Sequence, residues 1–267
     1  MNSLADIRDS YIDDGLSYEQ AQARAAQDAM LDLIGKSDLT RNVSIKGGVL
    51  MQHISNDTRR ATTDFDLDFV RYSIANDSIE RFVDLLDSGS SDFSIKMTGE
   101  IEQLKHQDYS GKRIHVVISD IQENSIETKV DIGVHNLVSP DLDIVCFDIG
   151  KLDDAITFLA DSSEQVVAEK LRSLLRIGAA STRYKDVFDI YYLLRIKGVR
   201  NEELNSAIHA LVFDDAKMRE SDYEDIAKRL SRVFADRRFS RELSRAKNNW
   251  LEMSPDKVTV AIVAYFS

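Results

Sequence analysis

The sequence predicts an α+β protein with two domains, an α/β domain over residues 1–145 and an all-helical domain over residues 146–267. Three observations predict this division. Stretches that alternate apolar and polar side chains, as strands do, occur in the first part of the chain. From residue 152 onward, nearly every stretch repeats its apolar residues with helical period. Charge divides as well, because residues 1–169 carry 15 basic and 32 acidic side chains, whereas residues 170–200 carry 8 and 2.

Composition predicts a globular protein. The chain has 267 residues, of which 43% are apolar and 30% are charged, and this length can bury a substantial core. The N-terminus is acidic and lacks the apolar segment of a signal peptide, and the longest apolar stretch, residues 258–266, is too short to cross a bilayer. One cysteine, Cys146, excludes an internal disulfide. We therefore expect a cytoplasmic protein with no membrane partner.

The first domain is predicted to begin with a helix over residues 17–35, where Ala, Met and Leu share one face. Residues 42–46 predict a short strand, which leads into Gly47-Gly48 and an apolar turn of helix. Residues 63–70 alternate strictly and predict a strand, and residues 75–86 predict a helix. Further strands are predicted at residues 93–104, 113–119 and 126–134, followed by a short apolar segment at 144–149.

The second domain is predicted to consist of helices after a break at Ser139-Pro140. The apolar residues recur at helical spacing throughout this part of the chain. The predicted helices span residues 152–160, 163–177, 184–196, 201–212, 222–235, 238–252 and 256–266.

The strand at 63–70 places three carboxylates, Asp64, Asp66 and Asp68, on one face. Such like charges repel unless a cation or a basic side chain lies beside them. Asp131 lies between apolar neighbours on a later strand and is a candidate third carboxylate for Asp64 and Asp66. Hard oxygen ligands of this kind suit Mg²⁺, with substrate phosphates completing its coordination. The alternative is the solvated face of an edge strand.

Gly47-Gly48 stands where a strand turns into a helix. Glycines at such a turn allow the backbone to approach a phosphate closely, and the helix N-terminus supplies free N–H groups. The alternative interpretation is an ordinary turn.

A second candidate group lies around Lys170. This lysine is a candidate ligand for triphosphate oxygens, with Asp186 or Asp189 orienting it or supporting the acceptor. The alternative is a set of surface residues, in which Lys185 and Asp189 form an exposed ion pair. Cations are dense in this otherwise acidic chain, at Lys170, Arg172, Arg176, Arg183 and Lys185.

Four runs together resemble a known family over roughly residues 41–195: KGGVLMQHI, RRATTDFDLDFV, TKVDIGV and VVAEKLRSLLRIGAASTRYKDVFDIYYLL. They are similar to the AbiEii/AbiGii-type nucleotidyltransferases, which are toxins of bacterial toxin–antitoxin and phage abortive-infection systems. That family belongs to the DNA polymerase β-like nucleotidyltransferase superfamily. The resemblance implies a polymerase-β-like N-terminal domain with a mixed sheet, followed by the helical domain.

The resemblance also implies roles for particular residues. Gly47 and Gly48 would correspond to the phosphate turn, Asp64 and Asp66 to the metal-binding pair, and Asp131 to the third carboxylate. The later lysine and aspartate would be Lys170 and Asp186, and supporting roles fall to Asp189, Lys46 and Arg183. Fifteen residues separate Gly48 from Asp64, which is more than the superfamily pattern usually has and predicts an enlarged loop at 55–63.

By resemblance, the enzyme would use Mg²⁺, with a two-ion site as one arrangement, and a nucleoside triphosphate. The acceptor would be RNA, in particular transfer RNA, and the cognate antitoxin would be a protein partner. We expect the basic residues at 170–185 and 228–247 to hold the RNA backbone. Two alternatives stay open: a metal-dependent nuclease or phosphodiesterase, and a non-catalytic protein whose acidic half binds a basic partner. The histidines form no close-spaced ligand pair, and His135 is predicted to lie on the surface.

Overall fold

The structure is a computed structural model that describes residues 3–89, 92–104, 111–135, 142–149 and 155–267. The described residues form two compact units, and the first ends at Asp161 and the second begins at Ser162. The first unit therefore continues past residue 145, where the sequence placed the domain boundary. The predicted break at Ser139-Pro140 lies outside the described residues.

The first unit contains a mixed sheet, and its strand order among the described residues is β3-β4-β5-β2-β1-β7-β6. Strands β2 and β5 are parallel, as are β1 and β7, and the other neighbouring strands are antiparallel. The strands are β1 Val43–Ile45, β2 Phe65–Phe69, β3 Phe93–Gln103, β4 Lys112–Asp120, β5 Ser125–Val134, β6 Asp143–Asp148 and β7 Ala155–Ala160.

The predicted strands are confirmed within one or two residues at each end, but the helix predicted at 152–160 is wrong. Within that segment, the described residues Ala155–Ala160 form β7, which pairs with β1 and β6. Its run of Ala155–Ala160 contains apolar residues without a clear period, and such short runs fit a strand in a sheet as well as a helix. Sheet pairing decides between the two.

The helices of the first unit are α1 Leu4–Asp13, α2 Tyr18–Lys36, α3 Gly47–Ser55 and α4 Asn76–Gly89. Helix α1 was not predicted, although Ser3 and Asp6 form a capping box at its start. Helix α2 packs against β4, β5 and β7, and α4 packs against β3. The buried side chains Phe65, Leu67 and Phe69 of β2 belong to this core, so the alternating aspartates of β2 point to the opposite face.

The described residues of the second unit form helices joined by turns: α5 Ser163–Ile177, α6 Tyr184–Tyr191, α7 Asn201–Ile208, α8 Tyr223–Phe234, α9 Arg237–Leu243 and α10 Pro255–Tyr265. Helices α6 and α7 each continue into a π-helical segment, Tyr192–Lys197 and His209–Phe213. The helices predicted in this part of the chain are confirmed, except that α9 ends well before residue 252. Within the described parts of the chain, no helix combines the length and the apolar character that a bilayer-spanning segment needs.

Candidate active site

The predicted aspartates of the first unit lie together on one face of the sheet. Strands β2 and β5 run parallel, and their register places Asp66 directly beside Asp131. Neighbouring strands lie about 4.8 Å apart, so these two carboxylates are adjacent. Asp64 precedes Asp66 by two residues and shares its face, since side chains alternate along an extended chain. The structure thus brings Asp64, Asp66 and Asp131 to one surface.

The glycine turn lies against Asp66. Strand β1 ends at Ile45 and α3 begins at Gly47, whose φ of +63° lies in the left-handed region that glycine tolerates. A Cβ at Gly47 would lie 2.2 Å from Asp66 Oδ2, and one at Gly48 would lie 2.4 Å from Thr62 Oγ1. A side chain at position 47 would therefore collide with the Asp66 carboxylate, and one at position 48 would collide with Thr62. The first N–H groups of α3, with the positive end of its dipole, are beside Asp66.

Each of three aspartates on this face has a basic partner from a neighbouring segment of the sheet. Arg113 of β4 donates two hydrogen bonds to Asp131, of 2.6 and 2.8 Å. Lys129 of β5 lies 2.9 Å from Asp64 Oδ1. These hydrogen bonds from Arg113 raise the pKa of its guanidinium.

The third such cation is Lys46, for which the family resemblance implies a supporting role. It lies 3.0 Å from Asp68 Oδ2. A Cβ at Gly133 of β5 would lie 2.1 Å from Asp68 Oδ1, which explains a glycine at the position opposite Asp68. We call this set of side chains the charged face: Asp64, Asp66, Asp68, Asp131, Lys46, Arg113 and Lys129.

The carboxylates of the charged face fit the donor set that Mg²⁺ uses. Magnesium is usually held by one or two carboxylates, with water and substrate phosphates as its other ligands. Asp66 and Asp131 provide such a pair in register, beside a turn that only glycine can form. A group of three or more Asp, Glu, His or Cys side chains already assembled for a metal is absent from the described residues. The partners of Asp64 and Asp131 are Lys129 and Arg113 instead.

The segment between α3 and β2, where the resemblance predicts an enlarged loop, contains a short 3₁₀ helix, Thr58–Arg60. This helix begins with a hydrogen bond from Arg59 N to Asp57 Oδ1. Gln27 of α2 donates a hydrogen bond of 2.9 Å to the carbonyl oxygen of Thr62. Because Thr62 packs against Gly48, this segment helps to fix the glycine turn.

The second unit contains a separate charged group around Lys170, which we call the lysine cluster. The Lys170 ammonium lies 2.6 Å from Asp186 Oδ1 and 3.0 Å from Asp189 Oδ2. Trp250 donates a hydrogen bond of 3.0 Å from its indole nitrogen to Asp189 Oδ1. Both predicted aspartates therefore contact the lysine. Asp189 is fully buried, so the alternative interpretation of this aspartate as a surface residue is wrong.

The basic stretches of the second unit differ in exposure. Arg172 bonds to Asp215, and Lys170 likewise has an acidic partner. The side chains of Arg176 and Arg183 are exposed. Arg183 immediately precedes α6. The second stretch, on and after α8 and α9, is mostly exposed, at Lys228, Arg232, Arg237, Arg238, Arg241, Arg245 and Lys247.

Sequence reasoning missed several residues of these groups. Arg113 could not be identified, because its contact with Asp131 depends on strand register. Lys129 had a local signal, since it stands two residues before Asp131 and therefore on the same strand face. Trp250 is 61 residues from Asp189 along the chain and had none. His135, predicted to be a surface residue, is buried where its backbone N–H bonds to the carbonyl oxygen of Phe69.

A comparison with protein families matches residues 28–260 to the family described as nucleotidyl transferase AbiEii toxin, type IV toxin–antitoxin system. A search of curated proteins finds none that matches. The matched span contains both the charged face and the lysine cluster, and it is the main body of the chain. The chain belongs to the AbiEii family of nucleotidyl transferase toxins.

Proposed function

We propose that the chain is a magnesium-dependent nucleotidyltransferase that transfers a nucleotidyl group from a nucleoside triphosphate to RNA, with transfer RNA as the acceptor. The observation that carries this proposal is the register of Asp66 with Asp131 beside the glycine turn. Family membership supports the nucleotidyl transfer. The acceptor and the metal are our inference from the charges of the two units.

The glycine turn is suited to hold the triphosphate. Backbone N–H groups in the first turn of α3 lack intrahelical partners, and Gly47 at the start of this helix lies against Asp66. Together with the helix dipole, they form an anion-binding site of the kind found at many helix N-termini. We propose that Gly47 and Gly48 hold phosphate oxygens through these groups.

Asp64, Asp66 and Asp131 would hold one or two magnesium ions, which supply charge neutralisation at the reacting phosphate when bound. Asp66 directs its carboxylate to the phosphates from beside the glycine turn. Asp131 accepts the hydrogen bond of the acceptor hydroxyl and so favours loss of its proton. Lys170 in the second unit is proposed to bind phosphate oxygens as a point charge, positioned by Asp186 and Asp189.

In the proposed reaction, the acceptor hydroxyl oxygen forms a bond to the α-phosphorus of the triphosphate. The bond from that phosphorus to the oxygen bridging to the β-phosphate breaks, and pyrophosphate leaves with the bonding electrons. The hydroxyl proton passes toward Asp131 and then to solvent. Most of the catalysis comes from positioning and from charge stabilisation, as in phosphoryl transfer generally.

The exposed cations on and after α8 and α9 support RNA as the acceptor. Arg232, Arg237, Arg238 and Arg241 are exposed, and this surface contrasts with a chain whose net charge is -12. Cationic side chains of this kind bind phosphate backbones in a salt-dependent manner. The family also implies an antitoxin as the second partner.

The function can be tested with purified protein, Mg²⁺ and transfer RNA, supplying each of the four labelled triphosphates separately. We expect label to enter RNA, the RNA to gain the mass of one or more nucleotides, and transfer to stop when periodate has oxidised the terminal ribose of the RNA. Asp66→Asn should lower the rate ~10²-fold or more, because one preorganised charged group is lost. Asp84→Asn is the matched control, since Asp84 is exposed on α4.

The length of the RNA product distinguishes a transferase from a nuclease. Shortened RNA would indicate a metal-dependent nuclease in place of a transferase. If folded protein transfers no label from any triphosphate, and its toxicity in cells persists in the Asp66→Asn variant, the chain acts by binding a partner and the proposal is wrong.

A further inference from the structure

Two basic side chains occupy the carboxylates that the proposed reaction needs. We propose that Arg113 and Lys129 are internal counter-ions, which hold Asp131 and Asp64 in the free protein and transfer to the triphosphate when a metal ion takes the carboxylates. This inference rests on the proposed function and adds two phosphate-binding residues to it. Neither the sequence pattern nor the family resemblance implies a role for either residue.

The charges of the face explain why counter-ions are needed. Asp64, Asp66 and Asp68 share one face of an extended segment, and Asp131 is directly beside Asp66. Four adjacent carboxylates without partners would repel one another and oppose folding. Among the described residues, Lys46, Arg113 and Lys129 each lie within 3.0 Å of one aspartate of this face.

Exposure separates the exchangeable pairs from the fixed one. The side chains of Arg113 and Asp131 are 29% and 13% exposed, and those of Lys129 and Asp64 are 41% and 48% exposed. By contrast, Lys46 and Asp68 are 16% and 5% exposed. The cations of the first two pairs are the more exposed ones, so solvent and ions can reach these pairs and a metal ion can displace the cations. The Lys46 pair is the structural one.

The released cations suit the incoming triphosphate. A guanidinium presents a planar fork that matches phosphate oxygens as well as it matches the carboxylate of Asp131. Arg113 and Lys129 project from neighbouring strands, because His115, two residues after Arg113, is in register with Lys129. When a metal ion binds Asp64 and Asp131, Lys129 and Arg113 lose the carboxylates that they contact. Both cations are then available to the phosphates on the same face.

The two ion pairs should lower the affinity of the free protein for a metal ion. A metal ion that binds alone must displace two ion pairs and leave their cations uncompensated, so it binds weakly. A triphosphate supplies new partners for those cations, so metal and nucleotide strengthen each other's binding. Removing Arg113 or Lys129 should therefore strengthen the binding of metal alone and weaken this coupling.

The test is calorimetric titration of the full-length protein with Mn²⁺ alone, and again in the presence of α,β-methylene ATP, which is not cleaved at the reacting bond. We compare wild type with Arg113→Gln and Lys129→Gln. We expect each variant to bind Mn²⁺ alone about fivefold or more tightly than wild type, and to show a smaller increase in affinity on adding the nucleotide analogue. Lys36→Gln is the control, since Lys36 also lies between two aspartates of the first unit, Asp32 and Asp92.

Circular dichroism spectra and thermal midpoints test whether each variant is folded. Arg113→Lys provides a second variant, which keeps the positive charge but lacks the planar guanidinium. Unchanged or weaker Mn²⁺ binding in both glutamine variants would overturn the inference, as would absence of Mn²⁺ binding in every protein. The proposed function is decided separately by the transferase assay with metal and triphosphate together. Transferase activity in wild type with no change in Mn²⁺ affinity in the variants would leave the function standing and remove the counter-ion role.

Discussion

The charged face of the first unit and the lysine cluster of the second unit solve the same electrostatic problem in different ways. On the charged face, Asp64 and Asp131 each pair with one cation, and these pairs are partly exposed. In the lysine cluster, a single ammonium lies between two carboxylates, and Asp189 is fully buried with an indole N–H on its other oxygen. The first arrangement can exchange partners, whereas the second is fixed by burial.

This difference predicts that the two sites respond differently to substitution. Arg113 and Lys129 can be removed at small cost in stability, because their pairs are partly exposed and water replaces much of the interaction. Partners of the lysine cluster cannot, because an uncompensated buried charge remains. Substitution of Arg113 or Lys129 should therefore impair function with retained stability, whereas substitution in the lysine cluster should impair both.

The largest effect is expected from Lys170→Met, which should lower the free energy of unfolding by about 3–5 kcal/mol, because Asp186 and Asp189 lose their shared cation. Chemical denaturation measures this change. Combining Lys170→Met with Asp189→Asn should restore part of the stability, since the buried negative charge is removed. Arg113→Gln should cost only about 1 kcal/mol. Equal losses for Lys170→Met and Arg113→Gln would contradict the comparison.

The next effect is expected from Gly47→Ala. The new Cβ would collide with the Asp66 carboxylate, so we expect a loss of ~2 kcal/mol in stability through left-handed backbone strain and steric overlap, and a fall in transferase rate of ~10-fold or more. Gly99→Ala is a matched control, because Gly99 has a φ of +73° but nothing within 4 Å of the new Cβ. The two variants should share the cost of strain and differ in activity. A comparable fall in rate for Gly99→Ala would show that the turn has no special relation to Asp66.

A comparable loss of stability, without the steric collision at the glycine turn, is expected from Trp250→Phe. This change removes the indole N–H that bonds to Asp189 and should cost about 1.5–3 kcal/mol, the range for hydrogen bonds to charged groups. Tyr223→Phe is the control, because the Tyr223 hydroxyl bonds to Asn205 at an exposed position and its removal should cost little. Thermal denaturation measures both. If Trp250→Phe were as stable as wild type, the lysine cluster would not depend on this bond.

The smallest effect per residue is expected at the exposed cations. Replacing Arg232 and Arg238 with Gln should weaken binding to transfer RNA and flatten the plot of log affinity against log salt concentration by about one unit for each phosphate that is no longer neutralised. Lys257→Gln, an equally exposed cation in the first turn of α10, is the control. Filter binding at several salt concentrations gives the slopes. An unchanged slope would remove α8 and α9 from the RNA-binding surface.

The sequence predicted most elements of the fold, because alternation and helical period are local properties. It failed where local pattern is ambiguous. Residues Ala155–Ala160 form a strand only because β1 and β6 lie beside them. Helix α1 was missed although its capping box is local. The end of the first unit at Asp161, later than the predicted boundary, is likewise a consequence of sheet pairing.

The residues of the candidate site also fall into those that local pattern predicts and those that depend on the fold. Asp64 and Asp66 could be placed on one face from the sequence, because they stand two residues apart on a predicted strand. The partners that set the charge of that face, Arg113 above all, depend on the register of β4 with β5, which no local pattern specifies. Trp250 reaches Asp189 only through the fold of the second unit.

The most direct test of the central claim is the transfer of labelled nucleotide to transfer RNA by wild type, Asp66→Asn, Asp131→Asn and Asp84→Asn at equal folded concentration. We predict that wild type and Asp84→Asn transfer label at the same rate in Mg²⁺, and that Asp66→Asn and Asp131→Asn are slower by ~10²-fold or more while keeping wild-type spectra. Undiminished transfer by folded Asp66→Asn and Asp131→Asn proteins would contradict the assignment of the charged face as the active site.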